Sequence, residues 1–367
     1  MRQSVVLLAS YAPSLLAFRG PLLVALQRRG YEVIAAGPPS EETASALQAI
    51  GMRYEPVAGM RTSTNPIGDI AYFLRLRALL RREKPVAIIS YTAKPVIWGS
   101  LAASSAGVRC RVAIITGVGS ILMRQRPTAL GAVLKRLYRM ALGKCQAVAF
   151  QNPDDQREFV ELGLVDAKRT FQVNGSGVQL EHYQSAPPPS QPVFLLIARL
   201  LADKGIREYA AAARLLKTRH PQARFRLAGW FDENPTALAR EEVDGWVKDG
   251  YVEYAGHLDD VRPELAGALV YVLPSYREGT PRTVLEAMAV GRAIVTTDAP
   301  GCRETVKPGW NGVLVKPRDV ESLVAAMERF IVEPGLAAAM GQRSRELVVE
   351  KYDSTRVADE LLRGFGL

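Results

Sequence analysis

The chain has 367 residues, with 47 Lys and Arg against 37 Asp and Glu, a formal charge of +10. At ~100–200 residues per domain this length predicts two domains. A composition of 23% charged and 48% apolar residues excludes a disordered chain. Three scattered cysteines, Cys110, Cys145 and Cys302, exclude a disulfide framework and fit a reducing compartment. No Cys/His cluster has zinc spacing, and no recognisable RNA-binding motif or aromatic-studded basic stripe points to nucleic acid. No run of ~18 uninterrupted apolar residues predicts a spanning helix. The apolar start of the chain loosely resembles a signal peptide, but Ser10, Tyr11, Pro13 and Ser14 interrupt it, so residues 4–9 read as a buried first strand.

In chain order, the first half predicts strands at 4–9, 31–36, 87–91, 111–115 and 147–151. Helices fall at 21–29, 41–50, 67–84 and 98–106. The second half predicts strands at 193–198, 224–228, 251–254, 268–273, 293–297 and 312–315. Its helices fall at 205–218, 235–249, 281–289, 320–330 and 336–349. Short apolar runs alternating with amphipathic segments are the mark of a parallel sheet covered by helices. The fold class is therefore α/β, with two Rossmann-like doubly wound domains facing each other across a cleft. The proline-rich run 186–192 reads as a linker, which puts an N-terminal domain at 1–185 and a C-terminal one at 186–353. Residues 1–185 carry 23 basic and 12 acidic side chains, and 186–367 carry 24 and 25, so the whole positive excess lies in the first half.

In doubly wound sheets, ligands bind beyond the carboxyl ends of the strands. The segment 274–289, PSYREGTPRTVLEAMA, follows such a strand. Thr280 is a good N-cap and Pro281 suits the first helical position. The N–H groups of Arg282 and Thr283 then point out of the helix start, where the dipole favours a phosphate. Gly279 lets the backbone approach a ligand, and Glu278 sits beside it in the loop. Glu286, in the second turn, accepts two hydrogen bonds as from vicinal hydroxyls.

Glu278 and Glu286, with seven residues between them, stand in a segment that resembles the donor site of GT4-type retaining glycosyltransferases. Residues 198–205 (ARLLADKG), 298–304 (DAPGCRE) and Asn311-Gly312 fit the same family, and the likeness spans the chain. The resemblance implies a GT-B fold and a UDP-sugar donor. Glu286 would hold the donor ribose, Glu278 would lie beside the donor sugar, and Arg199 and Lys204 would grip the diphosphate. His257 and Leu258, in the stretch 255–260, would lie near the nucleobase, or His257 is a plain turn residue. Arg19 and Gly20 either approach the donor phosphates or simply start a helix at Pro21. No Asp-x-Asp occurs in the chain, so no metal and no cofactor are expected, and fixed cations take the electrostatic role.

The first domain is expected to bind the acceptor through loops after its strands, with Lys94, Thr116, Gly117 and Gly119 as contacts. Loops 91–95, 116–120, 150–155 and 175–178 resemble the branch that acts on undecaprenyl-diphosphate-linked sugars, including N-acetylgalactosaminyltransferases for linked diacetylbacillosamine. One departure stands out. Many family members place a histidine after a first-domain strand, and here none precedes His182, so that role passes to no residue.

Residues 123–144 read as a basic amphipathic helix from Thr128 onward. Such a helix either packs in a core with a solvated basic face or lies on an anionic membrane. With the basic first half and the lipid-linked acceptor, the expected setting is cytoplasmic, peripheral to the inner membrane face. The alternatives are a soluble acceptor, a sugar-nucleotide epimerase and a non-catalytic UDP-sugar binder. Residues 354–367 are expected as a terminal helix, which in the family crosses back to the first domain.

Overall fold

The computed structural model describes residues 3–59, 65–117, 128–232, 234, 236–333 and 335–367. They form two compact units, Met1–Ser176 with Thr355–Leu367, and Gly177–Ser354.

The first unit is built on seven strands: β1 (Ser4–Leu8), β2 (Glu32–Gly37), β3 (Arg53–Pro56), β4 (Ala87–Tyr91), β5 (Cys110–Ile115), β6 (Ala147–Phe150) and β7 (Thr170–Gln172). All pair in parallel, in the order β3-β2-β1-β4-β5-β6-β7. A parallel sheet is covered on both faces, so its central strands are apolar throughout rather than alternating. In β1, Val5 and Leu7 point into one core, beside Leu23, Leu26 and Ile89. Val6 and Leu8 point into the other, against Tyr72, Leu76, Leu79 and Leu80 of the helix Pro66–Glu83. The terminal helix Ser354–Phe365 buries Val357, Ala358, Leu361, Leu362 and Phe365 in the same core as Val5 and Leu7. Phe365 meets Phe171 edge to face at 5.4 Å between ring centroids.

The second unit holds β8 (Val193–Ile197), β9 (Arg224–Ala228), β10 (Glu253–Tyr254), β11 (Val270–Leu273), β12 (Ala293–Thr297) and β13 (Gly312–Val315), again all parallel, in the order β10-β9-β8-β11-β12-β13. The order reverses between β8 and β11, the switch point at which doubly wound sheets open a ligand crevice.

The structure departs from the sequence expectations at several points. The proline-rich run lies inside the second unit. The buried Arg292 guanidinium donates to the carbonyls of Ala186 (2.5 Å), Pro187 (3.3 Å) and Ala268 (3.1 Å), tying the run against the sheet. The chain enters the second unit at Gly177 and leaves it at Ser354. The edge strands β3 (RYEP) and β7 (TFQ) are polar and short, so they carry no apolar run to announce them. A helix, Pro153–Glu161, occupies what reads as a loop; Asn152 caps it by accepting from the Asp155 N–H at 2.8 Å. The helix expected at 235–249 spans Arg240–Lys248. The one expected at 98–106 opens as a wide turn, Pro95–Gly99, before Ser100–Ser105.

Because the terminal helix supplies part of the first unit's core, Leu361→Ala is expected to destabilise that unit by about 2–4 kcal/mol. Urea unfolding followed by circular dichroism should show an earlier transition. An unchanged melting profile would mean the helix is not part of that core.

Candidate active site

The site is built where β8 and β11 end. After β8 the chain runs through Arg199 into a short turn, Ala202–Lys204, and Gly205 then starts the helix Ile206–Arg219. Gly205 sits at φ 71°, and a side chain there would collide with the Pro274 carbonyl, so only glycine lets the two loops close on each other. The loop after β11 is then fastened to that turn. The Tyr276 N–H donates to the Asp203 carbonyl at 2.9 Å. The Tyr276 hydroxyl donates to Glu208 at 2.6 Å, and the Arg318 guanidinium lies over its ring at 4.5 Å. Burial, then the Glu208 hydrogen bond, pushes the Tyr276 phenol up to about 12.

This fastening brings Lys204 and Glu278 together. Lys204 Nζ donates to Glu278 Oε1 at 2.5 Å, and the Ser275 hydroxyl donates to the same oxygen at 2.8 Å. Both charged side chains are 15% exposed. On its other side the Glu278 backbone is pinned by the loop after β12, through a Glu278 N–H to Pro300 carbonyl bond of 2.9 Å. Gly301, at φ 80°, packs where a side chain would strike the Glu278 and Gly279 carbonyls.

The helix that follows is Arg282–Val290, and here the structure corrects the sequence reading. Pro281, not Thr280, is the N-cap, because its ψ of 107° is extended and the helix begins one residue later. Pro281 makes no side-chain capping bond, and its carbonyl accepts from Val284 and Leu285. Arg282 and Thr283 thus occupy the first two helical positions, whose N–H groups point out of the helix start. Glu286 is buried and accepts from Arg282 Nε at 2.8 Å, an i,i+4 pair. Tyr183 also neighbours Glu286: its phenol is pushed well above its ordinary range, first by burial and then by that carboxylate.

Arg199 pairs with Asp232, in the loop after β9, at 3.0 Å. His257 is exposed, with its ring edge to face with Trp230 at 5.2 Å and its Nε2 3.7 Å from Asp259. Leu258 is half-buried beside the core under β11.

The residues assigned to the first half lie in the first unit. Arg19 is buried, with its guanidinium 4.9 Å from the Tyr91 ring centroid, and Gly20 begins the helix Gly20–Arg28. Lys94 pairs with Asp69 at 2.5 Å and lines a small pocket with Ser10, Pro38, Val57 and Tyr72. Thr116 and Gly117 follow β5, while Gly119 and residues 123–127 lie outside the described residues. Sequence reasoning missed Ser275, Tyr276, Asp232 and Tyr183. Ser275 and Tyr276 stand within three residues of Glu278 and were legible by position; Asp232 and Tyr183 enter only through the fold.

Two parallel-sheet α/β units, the second with a cation–carboxylate pair at its switch point, have the make-up of the GT-B architecture. Known proteins agree. Residues 20–175 match the family model "Glycosyl transferase 4-like domain", and residues 191–333 match "Glycosyl transferases group 1". The chain belongs to this glycosyltransferase family. It is 28% identical over 366 residues, 95% of each chain, to the N,N'-diacetylbacillosaminyl-diphospho-undecaprenol alpha-1,3-N-acetylgalactosaminyltransferase of Campylobacter jejuni. It is 25% identical to the UDP-Gal:alpha-D-GlcNAc-diphosphoundecaprenol alpha-1,3-galactosyltransferase of Escherichia coli, over 80% of this chain and 79% of that one. The fold matches Anabaena HepE, solved with UDP and glucose, at a TM-score of 0.77 and 18% identity, with all of both chains covered.

Gly301→Ala is expected to push the Glu278 loop out of place. Glycosyl transfer should fall at least tenfold while far-ultraviolet circular dichroism stays unchanged. Full activity would show that the Gly301 contact does not set the Glu278 position.

Proposed function

We propose that the protein transfers an N-acetylhexosamine from its UDP-sugar to a polyprenyl-diphosphate-linked saccharide at the cytoplasmic membrane face, with retention of anomeric configuration and without a divalent metal. The observation that carries this reading is the Lys204–Glu278 pair at the β8/β11 switch point, beside the start of the helix Arg282–Val290. As the bond from the sugar C1 to the diphosphate oxygen breaks, negative charge grows on the leaving group. Lys204, Arg199 and the N–H groups of Arg282 and Thr283 stabilise that charge in place of a metal ion. The acceptor hydroxyl oxygen bonds to C1 from the same face, and its proton passes to the departing phosphate oxygen. Glu286 accepts from the ribose hydroxyls and Glu278 orients the donor sugar. The names of the two lipid-linked relatives support the acceptor class.

Two exposed apolar rows in the first unit support membrane contact. Leu130, Val133 and Met140 share one face of the helix Ala129–Leu142, flanked by Arg136, while Leu134, Leu137 and Ala141 turn to the core. On the helix Pro66–Glu83, Ile67, Ile70 and Leu74 are 78%, 57% and 52% exposed, in line with Arg77 and Arg81. Apolar side chains bordered by cations suit an anionic bilayer. Among the described residues, no helix is long and apolar enough to cross a membrane.

A screen of radiolabelled UDP-sugars with a native membrane lipid fraction should label lipid only with a UDP-N-acetylhexosamine, equally with and without EDTA. Label on soluble saccharide, epimerised sugar formed without acceptor, or loss of activity on chelation would each contradict one element of the proposal. Val133→Asp with Met140→Asp is expected to reduce co-sedimentation with anionic vesicles at least threefold, as is raised salt for the parent protein. Unchanged sedimentation would remove this helix from the membrane surface.

A further inference from the structure

Lys204 and Arg199, the cations proposed to meet the diphosphate, and their neighbour Arg282 each hold a carboxylate. Lys204 holds Glu278 at 2.5 Å, Arg282 holds Glu286 at 2.8 Å and Arg199 holds Asp232 at 3.0 Å. Glu278 and Glu286 have work of their own on the sugar and the ribose. Asp232 has none assigned, and it comes from a third loop, after β9.

That loop is fastened to the Arg199 loop by backbone. The Leu200 N–H donates to the Trp230 carbonyl at 3.0 Å, and the Ala202 N–H to the Thr236 carbonyl at 2.9 Å. Asp232 is oriented without help from Arg199, because its Oδ1 accepts the Asn234 N–H at 2.9 Å in an Asx turn. Only Oδ2 reaches Arg199. The carboxylate is therefore a fixed negative charge placed beside a cation whose side chain remains 35% exposed.

We propose that Asp232 is an exchangeable counter-ion. It holds Arg199 when the donor site is empty and yields it to the diphosphate when a nucleotide arrives. Asp232 thus acts through Arg199, as a positioning residue that limits how tightly a nucleoside diphosphate binds. An anion gains from Arg199 only the difference between its own attraction and that of Asp232. The spent nucleotide is an anionic product that must leave before the next cycle, so the competing carboxylate favours its release. This rests on the donor site proposed above.

The substitution Asp232→Asn isolates the charge, since an Asn Oδ1 accepts the same Asn234 N–H and keeps the turn. Calorimetric titration of the full-length protein with UDP should show Asp232→Asn binding roughly three- to tenfold more tightly than the parent. The gain should shrink as salt is raised. Inhibition of acceptor-dependent turnover by added UDP should strengthen by the same factor. Lys204→Ala, the control for the donor site, should weaken UDP at least tenfold. A purely structural role for Asp232 predicts weaker binding. Unchanged or weaker UDP binding in Asp232→Asn, with Lys204→Ala weakened as expected, overturns the counter-ion role and leaves the donor site standing. UDP binding unaffected by Lys204→Ala overturns both.

Discussion

The ion pair between Lys204 and Glu278 joins the two loops that flank the switch point of the second sheet, and the rest of the site is arranged around it. Taking two such charges largely out of water costs several kcal/mol per ion, which their attraction offsets only with good geometry and further hydrogen bonds. Those are present: Ser275 donates to the Glu278 carboxylate, and the Asp203 carbonyl accepts from the Tyr276 N–H. Apolar residues of the same volume would hold two loops together at least as well. The pair is better understood as chemistry held ready than as a source of stability.

The fold supplies the remaining constraints. A parallel sheet delivers all its strand ends to one edge, so the loops after β8, β9, β11 and β12 meet without long excursions. Glycines at 205 and 301 let backbone pack on backbone where a Cβ has no room. The helix after Pro281 points its N-terminus to the same edge as Lys204, adding a dipole to a formal charge. Such preorganised donors stabilise a developing anion without reorganising at the moment of reaction. Carboxylates at Lys204, Arg199 and Arg282 offset part of the positive charge of the site.

Much of the architecture was legible in the sequence because buried parallel strands are continuous apolar runs. SVVLL, VFLLI and AIVTT announce themselves as β1, β8 and β12. The edge strands RYEP and TFQ lack that signal, since one of their sides faces no neighbouring strand. The run APPPSQP reads as a linker by composition, yet the buried Arg292 fastens its carbonyls to the sheet, a contact across 105 and 106 positions of sequence and invisible to local pattern. Glu278, Glu286, Arg199 and Lys204 were legible as a motif. Their partners Asp232 and Tyr183 were not, because a residue's counter-charge is chosen by topology rather than by spacing. The cap at Pro281 was misplaced by one residue because proline fixes φ and leaves ψ free to be extended.

The central claim is that the edge above β8 and β11 receives the diphosphate of an activated sugar. Its most direct test is a crystal structure of the full chain with UDP. The account predicts the β-phosphate within hydrogen-bonding distance of Lys204 Nζ and of the Arg282 or Thr283 N–H, with the ribose hydroxyls on Glu286. A nucleotide bound elsewhere, or a Lys204–Glu278 pair closed and untouched beneath it, would contradict the account.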